Sequence, residues 1–204
     1  MKVLIVYYSM YGHVLQLAQE VAAGAGSVED VEVVLRRVEE FQAVDRIIDG
    51  NEFAAQIREK QREIPFCTLD DLREADAVLF GSPTRFGNMA AQMKQLIDSM
   101  VSLWLKGEME GKPVGVFTST ASSHGGQETT LLTMMAPLLH LGMIIVGVPY
   151  SVPGMIHTEG RGGTPYGAST IAGARGELMP AAEDLEIARA QGRRVAEIAR
   201  KLKV

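Results

Sequence analysis

Five short apolar runs, Val3 to Tyr7, Val31 to Leu35, Ala77 to Phe80, Val114 to Phe117 and Met143 to Val146, alternate with helix-period patterns along the chain. Strands that are apolar at nearly every position must be covered on both faces, and helical crossovers supply that cover only when the strands run parallel. Right-handed crossovers then predict an α/β three-layer sandwich, a five-stranded parallel sheet of order 2-1-3-4-5 with helices on both faces. The first helix carries Val14, Leu17, Ala18, Val21 and Ala22 on one face, and Gly24 and Gly26 read as its end. A second helix starts near Asn88 and aligns Met89, Met93, Leu96, Ile97, Met100 and Trp104. The last, opened by Pro180, repeats Leu185, Ala188, Gly192, Val195, Ala199 and Leu202. Both are expected to pack on the sheet, with Gly192 allowing close approach to what lies beneath it.

The stretch VLIVYYSMYGHV, residues 3 to 14, places a hydroxyl-rich loop with one glycine between a buried strand and an amphipathic helix. Unpaired N–H groups and the positive end of the helix dipole make that junction a phosphate site. Neither Lys nor Arg occurs from Ser9 to Val14, so main-chain donors and the hydroxyls of Ser9 and Tyr11 are left to hold the anion. The loop lacks both GxxxxGKS and GxGxxG, which favours a mononucleotide over a nucleoside triphosphate or a dinucleotide.

The 204 residues suit one domain, 1–204, and 47% hydrophobic content is ordinary for a globular protein. A net charge of -5, with 20 Lys and Arg scattered among 25 acids, disfavours nucleic acid and anionic membrane as partners. The single cysteine, Cys67, excludes an intramolecular disulfide and reads as a small buried hydrophobe. The chain opens on a strand, not a leader, and no apolar run approaches the roughly 20 residues of a membrane span, so a cytoplasmic location is expected. Two segments exceed a minimal five-stranded fold: an acidic insertion at about 39–66 with a short helix near Glu52 to Arg62, and a Gly/Pro/Ser/Thr-rich loop at about 148–179, between the last strand and the last helix.

In a doubly wound sheet, ligands bind at the carboxyl ends of the strands, where loops one, three and four converge. Those loops are SMYGHV (9–14), SPTRFGNM (82–89) and STASSHGGQE (119–128), rich in hydroxyls and glycines and poor in carboxylates. Turn and cap composition alone accounts for any one of them; three together point to a ligand. A flavin fits the set: Pro83 and Phe86 offer an apolar wall, and the backbone of Thr84, Arg85 and Gly87 offers hydrogen bonds to a polar ring edge. The four histidines, His13, His124, His140 and His157, show no HxxxH or HExxH spacing, which argues against a metal, and GxSxG is absent. By position Trp104 is either a packing residue or a pocket-lining one. His140 is either an end-of-helix cation or a donor near a flavin pyrimidine edge.

With these motifs assembled, the chain resembles the WrbA family of flavodoxin-like NAD(P)H:quinone oxidoreductases along nearly its whole length. YYSMYGH, GSPTRFGNM, HGGQE after an STAS loop, HLGM and RGGTPYGAST stand in the family's order. The resemblance implies an FMN phosphate at Ser9, Met10, Tyr11, Gly12, His13 and Val14. The ring is then flanked by the Pro83, Thr84, Arg85, Phe86, Gly87, Asn88 loop and by Ser119, Thr120, Ala121, Ser122, Ser123 and His124. It also implies a flavin contact at His140, a substrate contact at Trp104 and a nicotinamide-nucleotide contact at Tyr11. The implied activity is two-electron reduction of quinones by NADH or NADPH through FMN, in ping-pong order, by a homotetramer built as a dimer of dimers. RGGTPYGAST would then line the active site near a neighbouring subunit. Pro137 departs from the expected pattern and is placed to end or kink the helix before His140. A flavodoxin-type single-electron carrier is the alternative, and the long loop and Trp104, which suit a walled substrate cavity, speak against it.

Overall fold

The computed structural model describes residues 1–159 and 161–202. Strand β1 (Lys2–Tyr7) leads into helix α1 (His13–Gly26) and then β2 (Glu32–Arg37). The helices α2 (Gln42–Asp49), α3 (Glu52–Lys60) and α4 (Leu69–Glu74) precede β3 (Ala77–Arg85), its hairpin partner β4 (Asn88–Met89), α5 (Ala91–Ser99) and α6 (Val101–Trp104). The chain ends through β5 (Pro113–Thr120), α7 (Gln127–His140), β6 (Ile144–Ile145), β7 (Ser169–Ile171) and α8 (Ala182–Leu202). The central path β2-β1-β3-β5-β6 is parallel throughout, which is the order expected, while β4 pairs antiparallel with β3 and β7 pairs parallel with β5.

Strand alternation divides the core. Leu4 and Val6 of β1 join Phe80, Met93, Met100, Leu103 and Met134 beneath α5, α6 and α7. Val3 and Ile5 face the other way, with Leu17, Val21, Ile187 and Val195 of α1 and α8. Among the described residues no helix is long and apolar enough to cross a membrane.

The fifth strand departs from expectation. Ile144 and Ile145 of β6 pair only with Pro113 and Val114 at the start of β5, and Ser169 to Ile171 of β7 pair with Thr118 to Thr120 at its end. The polar 148–179 segment, within which Gly160 lies outside the described residues, is therefore largely an insertion inside a split strand, not a loop after it. Its return is buried, and polar side chains satisfy it. Ser169 Oγ donates to Gln127 Oε1 at 2.6 Å and accepts the Gly163 N–H at 2.9 Å. Thr170 Oγ1 donates to Asp184 Oδ2 at 2.7 Å. Gln191, fully buried on α8, accepts the Ala168 N–H at 3.0 Å and donates to Val116 O at 2.9 Å. A strand held this way carries no apolar signature, which is why its sequence resembles a loop.

α1 ends at Gly26, as expected, whereas Gly24 lies inside it. A Cβ at Gly24 would stand 1.9 Å from Arg189 O, and one at Gly192 would stand 2.0 Å from Val21 O, so the two glycines let α1 and α8 touch backbone to backbone. Gly192 thus approaches α1, not the sheet. Asn88 and Met89 belong to β4, and the helix expected from Asn88 begins at Ala91. α7 continues through Pro137 to His140.

Candidate functional site

The junction expected to take a phosphate is built by a tight turn. Gly12 adopts φ 85° as the N-cap of α1, a left-handed conformation costly for any residue with a Cβ. A Cβ there would also meet Ile57 Cδ1 at 2.9 Å. Ser9 Oγ accepts the Gly12 N–H at 3.1 Å and so shapes the loop. α1 has no side-chain cap, and its ladder starts with the Gln16 N–H on Gly12 O, leaving the N–H groups of its first turn for a ligand. α7 opens the same way, on Gly126 at φ 96° with no side-chain cap.

Tyr11 and His13 line a cleft of about 330 Å³ together with Pro83, Thr84 and Arg85 from the end of β3 and Ser119, Thr120 and Ala121 from the end of β5. The three predicted loops therefore converge. His13 is only 4% exposed, yet its Nε2 is buried with no hydrogen-bond partner. Burial lowers its pKa from 6.5, while the Gly176 and Leu178 backbone pulls the other way, so the imidazole is held toward its neutral form. An orphaned ring nitrogen beside an uncapped helix start suits an anionic oxygen, and a phosphate monoester fits both. Among the described residues no carboxylate lines the cleft, and no group of three or more His, Cys, Asp or Glu side chains is placed to hold a metal.

Other predicted residues support the cleft from outside it. Val14 is buried in the α1 core and Met10 packs against the opposite layer. Thr84 Oγ1 accepts both the Thr130 hydroxyl at 2.8 Å and the Gly87 N–H at 3.2 Å. Phe86 stands fully exposed at φ 55° on the tip of the β3–β4 hairpin, with Gly87 at φ 77°, and does not wall the cleft. Asn88 turns its Oδ1 to the Met89 N–H at 2.8 Å. Thr120 Oγ1 donates to Ser122 O at 2.9 Å, and Ser123 and His124 line a neighbouring depression with Gln127 and Arg161.

Trp104 and His140 are not brought to this cleft within one chain. α7 is 14 residues long, about 21 Å, and carries His140 to its far end. There the Gly111 N–H donates to Gly142 O, just before β5 begins. Trp104 ends α6 beside the same edge, and both side chains are exposed.

Several lining residues escape sequence reasoning. Asn51 and the turn Ala172 to Gly176 complete the cleft, and Arg175 brings a cation to it. From the 39–66 insertion, Gln61 donates to Ser9 O at 3.0 Å, and Ile57 backs Gly12. The glycines at 173 and 176, directly after β7, were the one local signal of a turn.

Residues 1–157 match the family model described as NADPH-dependent FMN reductase. Over all 204 residues of both chains, this protein is 50% identical to an NAD(P)H dehydrogenase (quinone) of Solidesulfovibrio magneticus. It is 53% identical over 203 residues to a protein of the same name from Syntrophobacter fumaroxidans, covering 99% of this chain and 98% of that relative. Among solved structures it is similar to a WrbA-like flavodoxin from Agrobacterium tumefaciens, with a TM-score of 0.65, 25% identity and 99% coverage of each chain. By the family model over residues 1–157, by its full-length relatives and by fold, the chain belongs to the NADPH-dependent FMN reductase family as one of its WrbA-like, flavodoxin-fold members.

Proposed function

We propose that this chain is an FMN-dependent NAD(P)H dehydrogenase (quinone), reducing quinones to hydroquinones by two electrons at the expense of NADH or NADPH. One observation carries the reading: the three loops deliver their side chains to one carboxylate-free cleft whose phosphate end holds a buried, unpartnered His13 Nε2. Two full-length relatives bear the enzyme's name.

When bound, FMN supplies the hydride-accepting and hydride-donating chemistry that the side chains lack. His13, Tyr11 and the N–H groups opening α1 would hold its phosphate, and Gln61 keeps the loop in place through Ser9 O. Pro83, Thr84 and Arg85 on one wall and Ser119, Thr120 and Ala121 on the other would orient the ring. Tyr11, which lines the same cleft, would meet the nicotinamide nucleotide as well. The cleft is open to solvent, so nucleotide and quinone would use it in turn.

The same proposal covers the assembly, a cytoplasmic homotetramer of single-domain chains. Trp104 and His140 are exposed at the edge opposite the cleft, near the exposed apolar residues Val101, Leu105, Leu139 and Ile144. Only in contact with another copy's cleft could they touch flavin or substrate. Steady-state rates with NADH or NADPH and benzoquinone are expected to give parallel reciprocal lines. Intersecting lines would reject successive use of one cleft, and absent turnover would favour a single-electron carrier.

A further inference from the structure

The phosphate end of the cleft contains no lysine or arginine from its own loop, and burial holds His13 toward neutrality. A phosphate monoester there would lack a full positive charge unless another element supplied one. The turn after β7 carries a candidate. The Ala172 N–H donates to Thr120 O at 2.7 Å, tying the turn to the end of β5, and the Leu178 N–H donates to Ala172 O at 2.8 Å, closing it. Gly173 at φ 79° and Gly176 at φ 75° set its shape, and Gly176 packs on His13, whose Cε1 would be 3.5 Å from a Cβ there. Arg175, between them, lines the cleft with an exposed side chain. The closest acid in sequence, Glu177, accepts the Arg175 main-chain N–H at 2.8 Å, and its lowered pKa arises first from main-chain hydrogen bonds. Its carboxylate therefore braces the turn. The other arginine of the cleft, Arg85, comes from the end of β3 and donates to Thr84 O at 2.8 Å.

We propose that Arg175 is a phosphate-binding residue of this cleft, its guanidinium supplying the charge that the 9–14 loop lacks. The inference rests on the proposed function and deepens it by naming the ligand chemistry, a phosphate monoester. FMN carries one, and NADPH carries one that NADH does not. A guanidinium suits either, because it offers paired donors to phosphate oxygens and stays charged.

The test compares wild type, Arg175→Ala and Arg175→Lys by equilibrium flavin titration and by nucleotide titration of the FMN-loaded protein. If the phosphate is FMN's, Arg175→Ala weakens FMN binding roughly 10- to 100-fold and leaves riboflavin binding unchanged, with Arg175→Lys in between. If it is the 2′-phosphate of the nucleotide, the FMN-to-riboflavin ratio holds and NADPH affinity falls by a similar factor against NADH. Both ratios unmoved in a variant with wild-type circular dichroism would overturn the assignment alone. Wild-type protein that binds neither flavin would overturn the proposed function and the assignment together.

Discussion

At the scale of single residues, His13 joins fold stability to the proposed phosphate binding. A side chain 4% exposed with an unpaired ring nitrogen is tolerated because the neutral imidazole costs far less to bury than the imidazolium. Its folded pKa lies below 6.5, so the unfolded chain binds the extra proton first as pH falls. The stability due to keeping His13 neutral is thus full above about pH 6.5 and declines as pH falls toward the folded pKa. For flavin-free protein, the urea midpoint of wild type is expected to drop more between pH 7.5 and 5.5 than that of His13→Gln. Equal drops would show that His13 is not held neutral by the fold. His13 was legible in sequence as part of the loop, since a single glycine between a strand and a helix demands a tight turn. Its pairing with Gly176 was not, because that contact spans most of the chain.

At the scale of elements, the junctions after β1, β3 and β5 could be read because their signals are local: apolar run, turn residues, helix period. The supports behind them are long-range and had no local sign. Gln61 and Ile57 come from an insertion whose composition looks merely solvated, yet they bond and back the 9–14 loop. β7 was hidden because its strand is buried through hydroxyl and amide pairs, and β6 was read too long because its apolar run outlasts its two paired residues. The α1–α8 contact illustrates the same limit. Gly24 looked like a helix end and is a contact point, for its neighbour Arg189 is remote in sequence. Gly192→Ala is expected to push a methyl group into Val21 O and to destabilise the fold by about 3 kcal/mol, since carbonyl oxygen cannot yield without shifting a helix. Chemical denaturation would show this as a lower midpoint with an unchanged slope, whereas a loss under about 0.5 kcal/mol would mean that the two helices part easily.

At the scale of the whole molecule, the parallel order places the loops after β1, β3 and β5 at one edge of the sheet and leaves Trp104 and His140 at the other. A chain with net charge -5 gathers Arg85 and Arg175, with no carboxylate among the described lining residues, around one cleft, a field that suits the proposed phosphate-bearing ligands. The family resemblance named Trp104 and His140 together with the cleft residues, although the fold separates them within a chain. Under the proposed assembly a neighbouring copy supplies them, which a motif has no way to record. A crystal structure of the protein with FMN tests this arrangement most directly. The phosphate is expected at the start of α1 within hydrogen-bonding distance of His13 Nε2, and the ring between Pro83 to Arg85 and Ser119 to Ala121. Trp104 and His140 of a neighbouring copy are expected over the open side. FMN bound elsewhere, or a phosphate that leaves His13 Nε2 unpaired, would contradict the site.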